Sequence, residues 1–152
     1  MVLNFSIYSI PVYWVMGLWP HIHGVRLIKK ANNKKWDNCN PRGVDTAAKY
    51  QKSVPAEVFA KFERAEAAHK NMMENAPLFI GAVIAGNIAG LPASTLNAAT
   101  GVYLALRIVY IGLYIKVTRQ KYSYLRTTTW FIFTAVLFGL FIKASNKLAY
   151  QD

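Results

Sequence analysis

The stretch from Glu63 to Phe79 constrains the fold of this chain more than any other segment. It reads ERAEAAHKNMMENAPLF, so polar and charged residues fill its first half and apolar residues follow. On an α-helix of about 3.6 residues per turn, four polar residues share one stripe: Arg64, Asn71, Glu74 and Asn75. A charge at membrane depth costs roughly 2.5–3.5 kcal/mol on insertion scales, so this stripe is expected to face protein or a ligand.

Composition favours a membrane protein. Of the 152 residues, 54% are hydrophobic, more than a small soluble core uses. The net charge is +11, but the basic residues lie between apolar runs that hold the aromatic residues, which argues against a nucleic-acid partner. The single cysteine, Cys39, excludes an intrachain disulfide and a cysteine-cluster metal site. His21 and His23 lack further ligands, so we predict no metal site.

Four long apolar runs predict an all-α integral membrane four-helix bundle that forms one domain over residues 1–152. The predicted helices cover about residues 5–28, 58–89, 96–117 and 127–148. Between the first two lies a basic stretch, residues 29–61, which predicts an exposed and irregular loop. A second basic connector follows the third helix. By the positive-inside rule both basic loops are cytosolic and both termini are lumenal.

Charged residues from all four predicted helices gather in one layer near the cytosolic surface. Six of them are cations: Arg26, Arg64, Lys70, Arg107, Arg119 and Arg126. Three are carboxylates: Glu63, Glu66 and Glu74. Because three acids cannot neutralise six bases, the layer favours a small anionic ligand, and we call the six cations the cationic layer.

Arg107 is the charge that lies deepest in a predicted membrane helix. It shares one face with Tyr103, Tyr110 and Tyr114. A buried guanidinium needs a partner, and Glu74 is the expected one. The side chains expected to face the membrane and select a lipophilic molecule include Tyr13, Trp14, Phe131 and Phe138.

The residues of the opening stretch also follow a known motif. Their pattern, E-R-x-x-x-A-H-K-N-x-x-E-x-x-P-L-F, resembles the family of membrane-associated proteins in eicosanoid and glutathione metabolism, called MAPEG. VRLIKKA at Val25 to Ala31 looks like the end of that family's first helix. Arg107-x-x-Tyr110-x-x-x-Tyr114 and Arg126-Thr127-x-x-Trp130 are similar to its third helix and the opening of its fourth. The resemblance covers about residues 5–148.

This resemblance implies a membrane homotrimer that binds glutathione between neighbouring subunits. The cofactor-binding residues that it implies are Arg26, Arg64, His69, Asn71, Glu74, Arg107, Tyr110 and Tyr114. Arg26 would reach a carboxylate of glutathione from one subunit, and Glu74 would hold the ammonium from the other. The implied catalytic residues are Arg126, which stabilises the glutathione thiolate, and Thr127, a candidate hydroxyl donor.

The activity that follows is a glutathione-dependent transferase or peroxidase acting on a hydrophobic electrophile. That small molecule would enter from the membrane lipid between helices one and four, and the family suggests the endoplasmic reticulum. Two alternatives stay open: a lipid-binding member without catalysis, and a glutathione-independent isomerase or cyclase. Ala67 stands where eicosanoid enzymes of the family carry a further arginine, so one glutathione contact of the family is absent here.

Overall fold

The computed structural model describes residues 2–150, and this part of the chain is helical and contains no strand. Its helices are α1 Ser9–Ala31, α2 Val44–Ser53, α3 Ala56–Ile88, α4 Ala93–Lys116 and α5 Gln120–Ala149. A 3-10 turn at Ser6–Tyr8 precedes α1. Two of the helices, α4 and α5, are long and apolar enough to cross a membrane. The helices α1 and α3 are also long, but α1 ends in basic residues and α3 carries many charged residues in its first half.

Helix α3 is the centre of the bundle because it contacts α1, α4 and α5. The core between these helices is largely aromatic. The rings of Phe79 and Tyr103 stack with their centroids 4.6 Å apart, and the Tyr13 ring lies 4.8 Å from Phe79. Close packing of this kind is what holds helices together in a membrane, because lipid tails are as apolar as the side chains and give no hydrophobic driving force. These contacts hold the three helices in the register that positions the polar residues.

The prediction that Tyr13 faces the membrane was wrong. Its side chain is only 1% exposed, and its hydroxyl donates a hydrogen bond to the Met72 carbonyl at 2.5 Å. Successive residues on a helix point about 100° apart, so Tyr13 and Trp14 lie on different faces. Trp14, together with Phe131 and Phe138, is more than half exposed on the surface of the bundle.

The first basic loop is more ordered than the sequence predicted. Residues 32–55, which we call the cap, contain the helix α2 and a small aromatic core. The Trp36 ring stacks on Tyr50 at 5.2 Å, and both rings meet the edge of Phe62 on α3. Charge and glycine content suggested an irregular loop, but these aromatic contacts with α3 fold the segment against the bundle.

Asp37 organises the turn inside the cap. Its Oδ1 accepts hydrogen bonds from the backbone N–H groups of Asn40, at 3.2 Å, and Cys39, at 3.0 Å. Its Oδ2 accepts one from the Thr46 hydroxyl. These donors favour the carboxylate and hold the pKa of Asp37 below its usual range. The turn therefore leads the chain into α2 in a defined direction.

Helix α5 begins at Gln120, earlier than the predicted start near residue 127. No proline or glycine separates Gln120 from Thr127, so nothing delays the helix after Arg119. Arg126 and Thr127 consequently lie in the second turn of α5 and not at its first residues.

The ends of the bundle differ in what they contain. Asn4 hydrogen-bonds to Asn87 at 2.7 Å, and the Lys147 ammonium donates to the Gly90 carbonyl. The start of the described chain, the connector from α3 to α4 and the end of α5 therefore lie together. Since the long helices alternate in direction, the cap and the connector from α4 to α5 lie at the opposite end.

Candidate functional site

Arg107 is enclosed completely within the helix bundle, at 0% exposure. Its guanidinium lies over three aromatic rings, 4.6 Å from the centroid of Phe133, 5.2 Å from Tyr110 and 5.7 Å from Tyr13. It also contacts the sulfur of Met72. Desolvated cation–π contacts contribute up to about 2 kcal/mol each, so the rings offset part of the cost of burying this charge.

The expected ion pair between Arg107 and Glu74 is not formed. In residues 2–150 no carboxylate lies within 4.0 Å of Arg107, whereas Glu74 lies 4.0 Å from the Lys70 ammonium on the exposed side of α3. The guanidinium instead donates a hydrogen bond from Nη1 to the Asn71 Oδ1 at 3.0 Å. Helical periodicity placed both residues on inward stripes, but the aromatic core draws Arg107 away from the surface where Glu74 lies.

The contact with Arg107 fixes the orientation of the Asn71 amide. A guanidinium can only donate hydrogen bonds, so the oxygen of Asn71 must face it and the NH₂ group must point the other way. Asn71 is half-buried, whereas Arg107 is fully buried. Asn71 therefore carries an NH₂ group whose orientation is set by a guanidinium that is itself inaccessible.

Cations and tyrosine rings form a continuous row along α4 to α5. From Arg107 the row passes to Tyr110, whose ring centroid lies 5.6 Å from that of Tyr114. The Arg126 guanidinium lies over the Tyr114 ring, 4.4 Å from its centroid. Three of the predicted binding residues and one predicted catalytic residue therefore belong to one contact row, and we call it the Arg–Tyr row.

A cleft on the surface of α3 brings together two other predicted residues, His69 and Glu74. Its volume is about 490 Å³, and it is lined by Arg42, Glu66, Ala67, His69, Lys70, Met73 and Glu74. Both carboxylates that line the cleft have partners. Glu66 accepts a hydrogen bond from His21 Nδ1 at 2.7 Å, and Glu74 pairs with Lys70. The cleft therefore combines charges of both signs in a volume that suits a small polar ligand.

His69 lines this cleft, is largely buried, and contacts two other parts of the structure. Its Nδ1 lies 2.8 Å from the Gly17 carbonyl on α1, and its Nε2 lies 3.0 Å from the guanidinium of Arg42 in the cap. A carbonyl only accepts and a guanidinium only donates, so His69 is the neutral tautomer with its proton on Nδ1. His69 joins α1, α3 and the cap at one point.

The remaining predicted residues lie farther from these two groups. Arg64 donates a hydrogen bond from Nε to the Ile115 carbonyl at 3.2 Å, which ties α3 to the end of α4. Arg26 is exposed on α1, and Thr127 is exposed on α5. Neither Arg26 nor Thr127 lines the cleft, and in residues 2–150 neither side chain makes a hydrogen bond or ion pair with the Arg–Tyr row.

Sequence reasoning missed Arg42, Tyr13 and Met72. Tyr13 and Met72 have ordinary core character, and only the packing of α1 on α3 brings them to Arg107. Arg42 lies in a segment without helical periodicity, so its position in the sequence does not predict a contact with His69. The one signal for the cap was its pair of aromatic residues, Trp36 and Tyr50, among basic ones.

The comparisons with known proteins bear on nearly the whole chain. The model of the MAPEG family matches residues 10–146. No curated protein and no solved structure matches. The matched range includes nearly all of α1, all of α3 and α4 and most of α5, with every polar side chain of the Arg–Tyr row and the cleft. The chain therefore belongs to the MAPEG family.

Proposed function

We propose that the chain is a glutathione-dependent membrane enzyme, a transferase or peroxidase acting on a lipophilic electrophile or hydroperoxide. The observation that carries this proposal is the Arg–Tyr row together with the fixed amide of Asn71. In the described residues neither Arg107 nor Arg126 has an ion-pair partner, so the row retains its full positive charge. Positive charge beside oriented hydrogen-bond donors is the environment that stabilises a thiolate.

The residues present fit the functional groups of glutathione. The tripeptide carries two carboxylates, one ammonium and one thiol. Glu74 is 58% exposed at the cleft and is suited to the ammonium. The NH₂ group of Asn71 and the cations of the cleft are suited to the carboxylates, since charge-assisted hydrogen bonds are roughly twice as strong as neutral ones.

Arg126 is the residue that we assign to thiol activation. When bound, glutathione supplies a thiol whose anion attacks the lipophilic partner. A free thiol has a pKa of about 8.5, and each unit of depression corresponds to roughly 1.4 kcal/mol of preferential stabilisation of the thiolate. The Tyr114 ring under Arg126 limits the positions of the guanidinium, which lowers the entropy cost of aiming it at a sulfur atom. Thr127, exposed beside it, would donate its hydroxyl.

The assembly that we propose is a homotrimer of protomers with four membrane-spanning helices, α1, α3, α4 and α5. Arg26 supports it, because this residue is exposed on α1 and lines neither the cleft on α3 nor the Arg–Tyr row, so a neighbouring protomer is where it would act. The cap and the connector from α4 to α5 are both basic, which favours a cytosolic position for that end of each protomer. The mass of the particle in detergent, after subtraction of the detergent, measures the number of chains.

The test is a titration of the purified protein with glutathione near neutral pH, following the ultraviolet absorbance of the thiolate. We expect a saturable signal that falls at least tenfold in Arg126→Gln. The matched control is Lys121→Gln, which removes one positive charge at an exposed position in the first turn of α5, outside the cationic layer. An equal signal in Arg126→Gln and Lys121→Gln would contradict the catalytic role of Arg126.

A second candidate function is lipid binding without thiol chemistry, and an apolar groove favours it. The groove has a volume of about 510 Å³ and is lined by Val15, Met16, Trp19, Ile108, Ile111, Gly112 and Lys116. It lies between α1 and α4. The sequence suggested an entry between α1 and the fourth predicted helix, which corresponds to α5. If the protein binds a fluorescent fatty acid but gives no thiolate signal at millimolar glutathione, this second function replaces the first.

A further inference from the structure

The cleft on α3 contains one arginine that comes from outside the bundle. Arg42 belongs to the cap, and it lines the cleft together with Ala67 and Lys70 of α3. Its guanidinium donates a hydrogen bond to the Nε2 of His69 at 3.0 Å. His69 is only 5% exposed and is itself fixed by the Gly17 carbonyl. The direction of Arg42 is therefore set by a buried side chain and not by solvent.

The charges of the cleft leave Arg42 without a counterion. Glu66 pairs with His21, and Glu74 pairs with Lys70. Throughout residues 2–150, no carboxylate lies within 4.0 Å of the Arg42 guanidinium, and its only polar side-chain partner, His69, is neutral. An arginine has five N–H donors, so several remain free to bind an anion. The small side chain of Ala67 leaves space on the same wall for such an anion.

The cap keeps Arg42 at this position. Its aromatic core is anchored on Phe62 of α3, and the Asp37 turn directs the chain toward α2. The N–H of Asp37 also donates to the Tyr50 hydroxyl at 2.6 Å, which closes the segment on both sides of Arg42. Because the backbone around it is held, Arg42 loses less conformational entropy when it binds a ligand than a residue of a free loop would.

We infer that Arg42 binds a carboxylate of the ligand in this cleft and that His69 is its positioning residue. This inference rests on the proposed function, because glutathione supplies the carboxylate. Arg42 would be a binding residue outside the motif at Glu63 to Phe79 on α3. A planar guanidinium binds a carboxylate through two parallel hydrogen bonds, a geometry that the ammonium of Lys70 cannot provide. The guanidinium absent from position Ala67 is thus supplied by the cap.

The experiment compares the dissociation constants of glutathione and of glutathione diethyl ester, which lacks both carboxylates. In Arg42→Gln we expect glutathione to bind about tenfold more weakly, while binding of the ester stays unchanged. The matched control is Lys52→Gln, which removes one positive charge from α2 at an exposed position and should change neither constant. His69→Leu should act in the same direction as Arg42→Gln, and His69→Gln should restore part of the loss.

Three results would overturn the inference. Equal glutathione affinity in Arg42→Gln and in the unmodified protein would show that Arg42 does not bind the ligand. An equal loss for glutathione and its ester would show that Arg42 acts on the shape of the cleft and not on a carboxylate. Absence of glutathione binding to the unmodified protein would remove the proposed function itself, and the inference with it. Because Arg42 is exposed, its substitution leaves the fold intact and the measurement remains interpretable.

Discussion

The two polar regions of the bundle lie at different ends and satisfy their hydrogen bonds in different ways. At the end that holds the connector from α3 to α4, Asn4 donates to Asn87, Asn87 donates to Ser6 at 2.9 Å, and Ser6 donates to Asn4 at 2.7 Å. We call these three residues the amide ring. At the other end, the cationic layer binds carbonyls, sulfur, aromatic rings and one amide, and within residues 2–150 Lys70 is the only one of its six members with a carboxylate partner.

This difference separates a structural polar cluster from a candidate functional one. The amide ring is uncharged and each of its members both donates and accepts, so it needs no further partner. The cationic layer keeps unpaired charge whose free energy falls when an anion binds. Substitutions in the two regions should therefore affect different properties, namely stability in the ring and ligand affinity in the layer.

The largest expected effect on stability belongs to Arg107, which is the exception in the cationic layer because it is fully buried. Arg107→Ala removes its contacts with three rings and leaves a cavity, so we expect the free energy of unfolding to fall by roughly 2–5 kcal/mol. Arg107→Met fills most of the volume without a charge and should lose much less stability. Thermal unfolding in detergent measures both variants.

The same two variants also test whether Arg107 contributes to ligand binding. Both remove the donor that orients Asn71, so both should weaken glutathione binding, although only the alanine variant is strongly destabilised. If Arg107→Met retained full affinity, Arg107 would be a structural residue like those of the amide ring, and the orientation of Asn71 would not depend on it.

A smaller effect is expected when the amide ring is opened. Asn87→Ala removes the acceptor for Asn4 and the donor for Ser6, so we expect a loss of about 1–3 kcal/mol in the free energy of unfolding. Glutathione affinity should stay unchanged, because the ring lies at the opposite end from the cleft. Asn38→Ala, at an exposed position of the cap, is the matched control. A fall in glutathione affinity in Asn87→Ala would contradict the proposal that the amide ring affects stability alone.

The smallest effect concerns the cap and its pH dependence. Backbone donors from Asn40 and Cys39 hold the pKa of Asp37 below its usual value of about 3.9. A depressed pKa contributes stability that is present above the unfolded value and is lost as the pH falls through the folded value. Limited proteolysis should therefore find the cap protected at neutral pH and open in strong acid.

The variant Asp37→Asn tests that assignment. It keeps the size of the side chain and removes the titrating group, so cleavage of the cap should become independent of acid pH and slightly faster at neutral pH. If the variant kept the acid-induced opening of the unmodified protein, another group would control the cap.

Much of the candidate site could be predicted from local periodicity. The stripe that contains Asn71 and the face that carries Tyr110 and Tyr114 follow from helical spacing, because spacing fixes which side chains share a face. The partner of Arg107 could not be predicted in this way. Its surroundings combine residues of α1, α3, α4 and α5, and their mutual approach depends on side-chain packing between segments distant in sequence.

The sequence by itself determined the family, the helical class and the excess of positive charge, since motif, hydrophobic runs and composition are properties of the chain alone. Only the tertiary structure decided that Arg107 lies among aromatic rings, that residues 32–55 fold into a cap and that Arg42 meets His69. The physical reason is that the partner of a charged side chain depends on how deeply the charge is buried and on which groups lie close to it. Both are set only when the helices pack together.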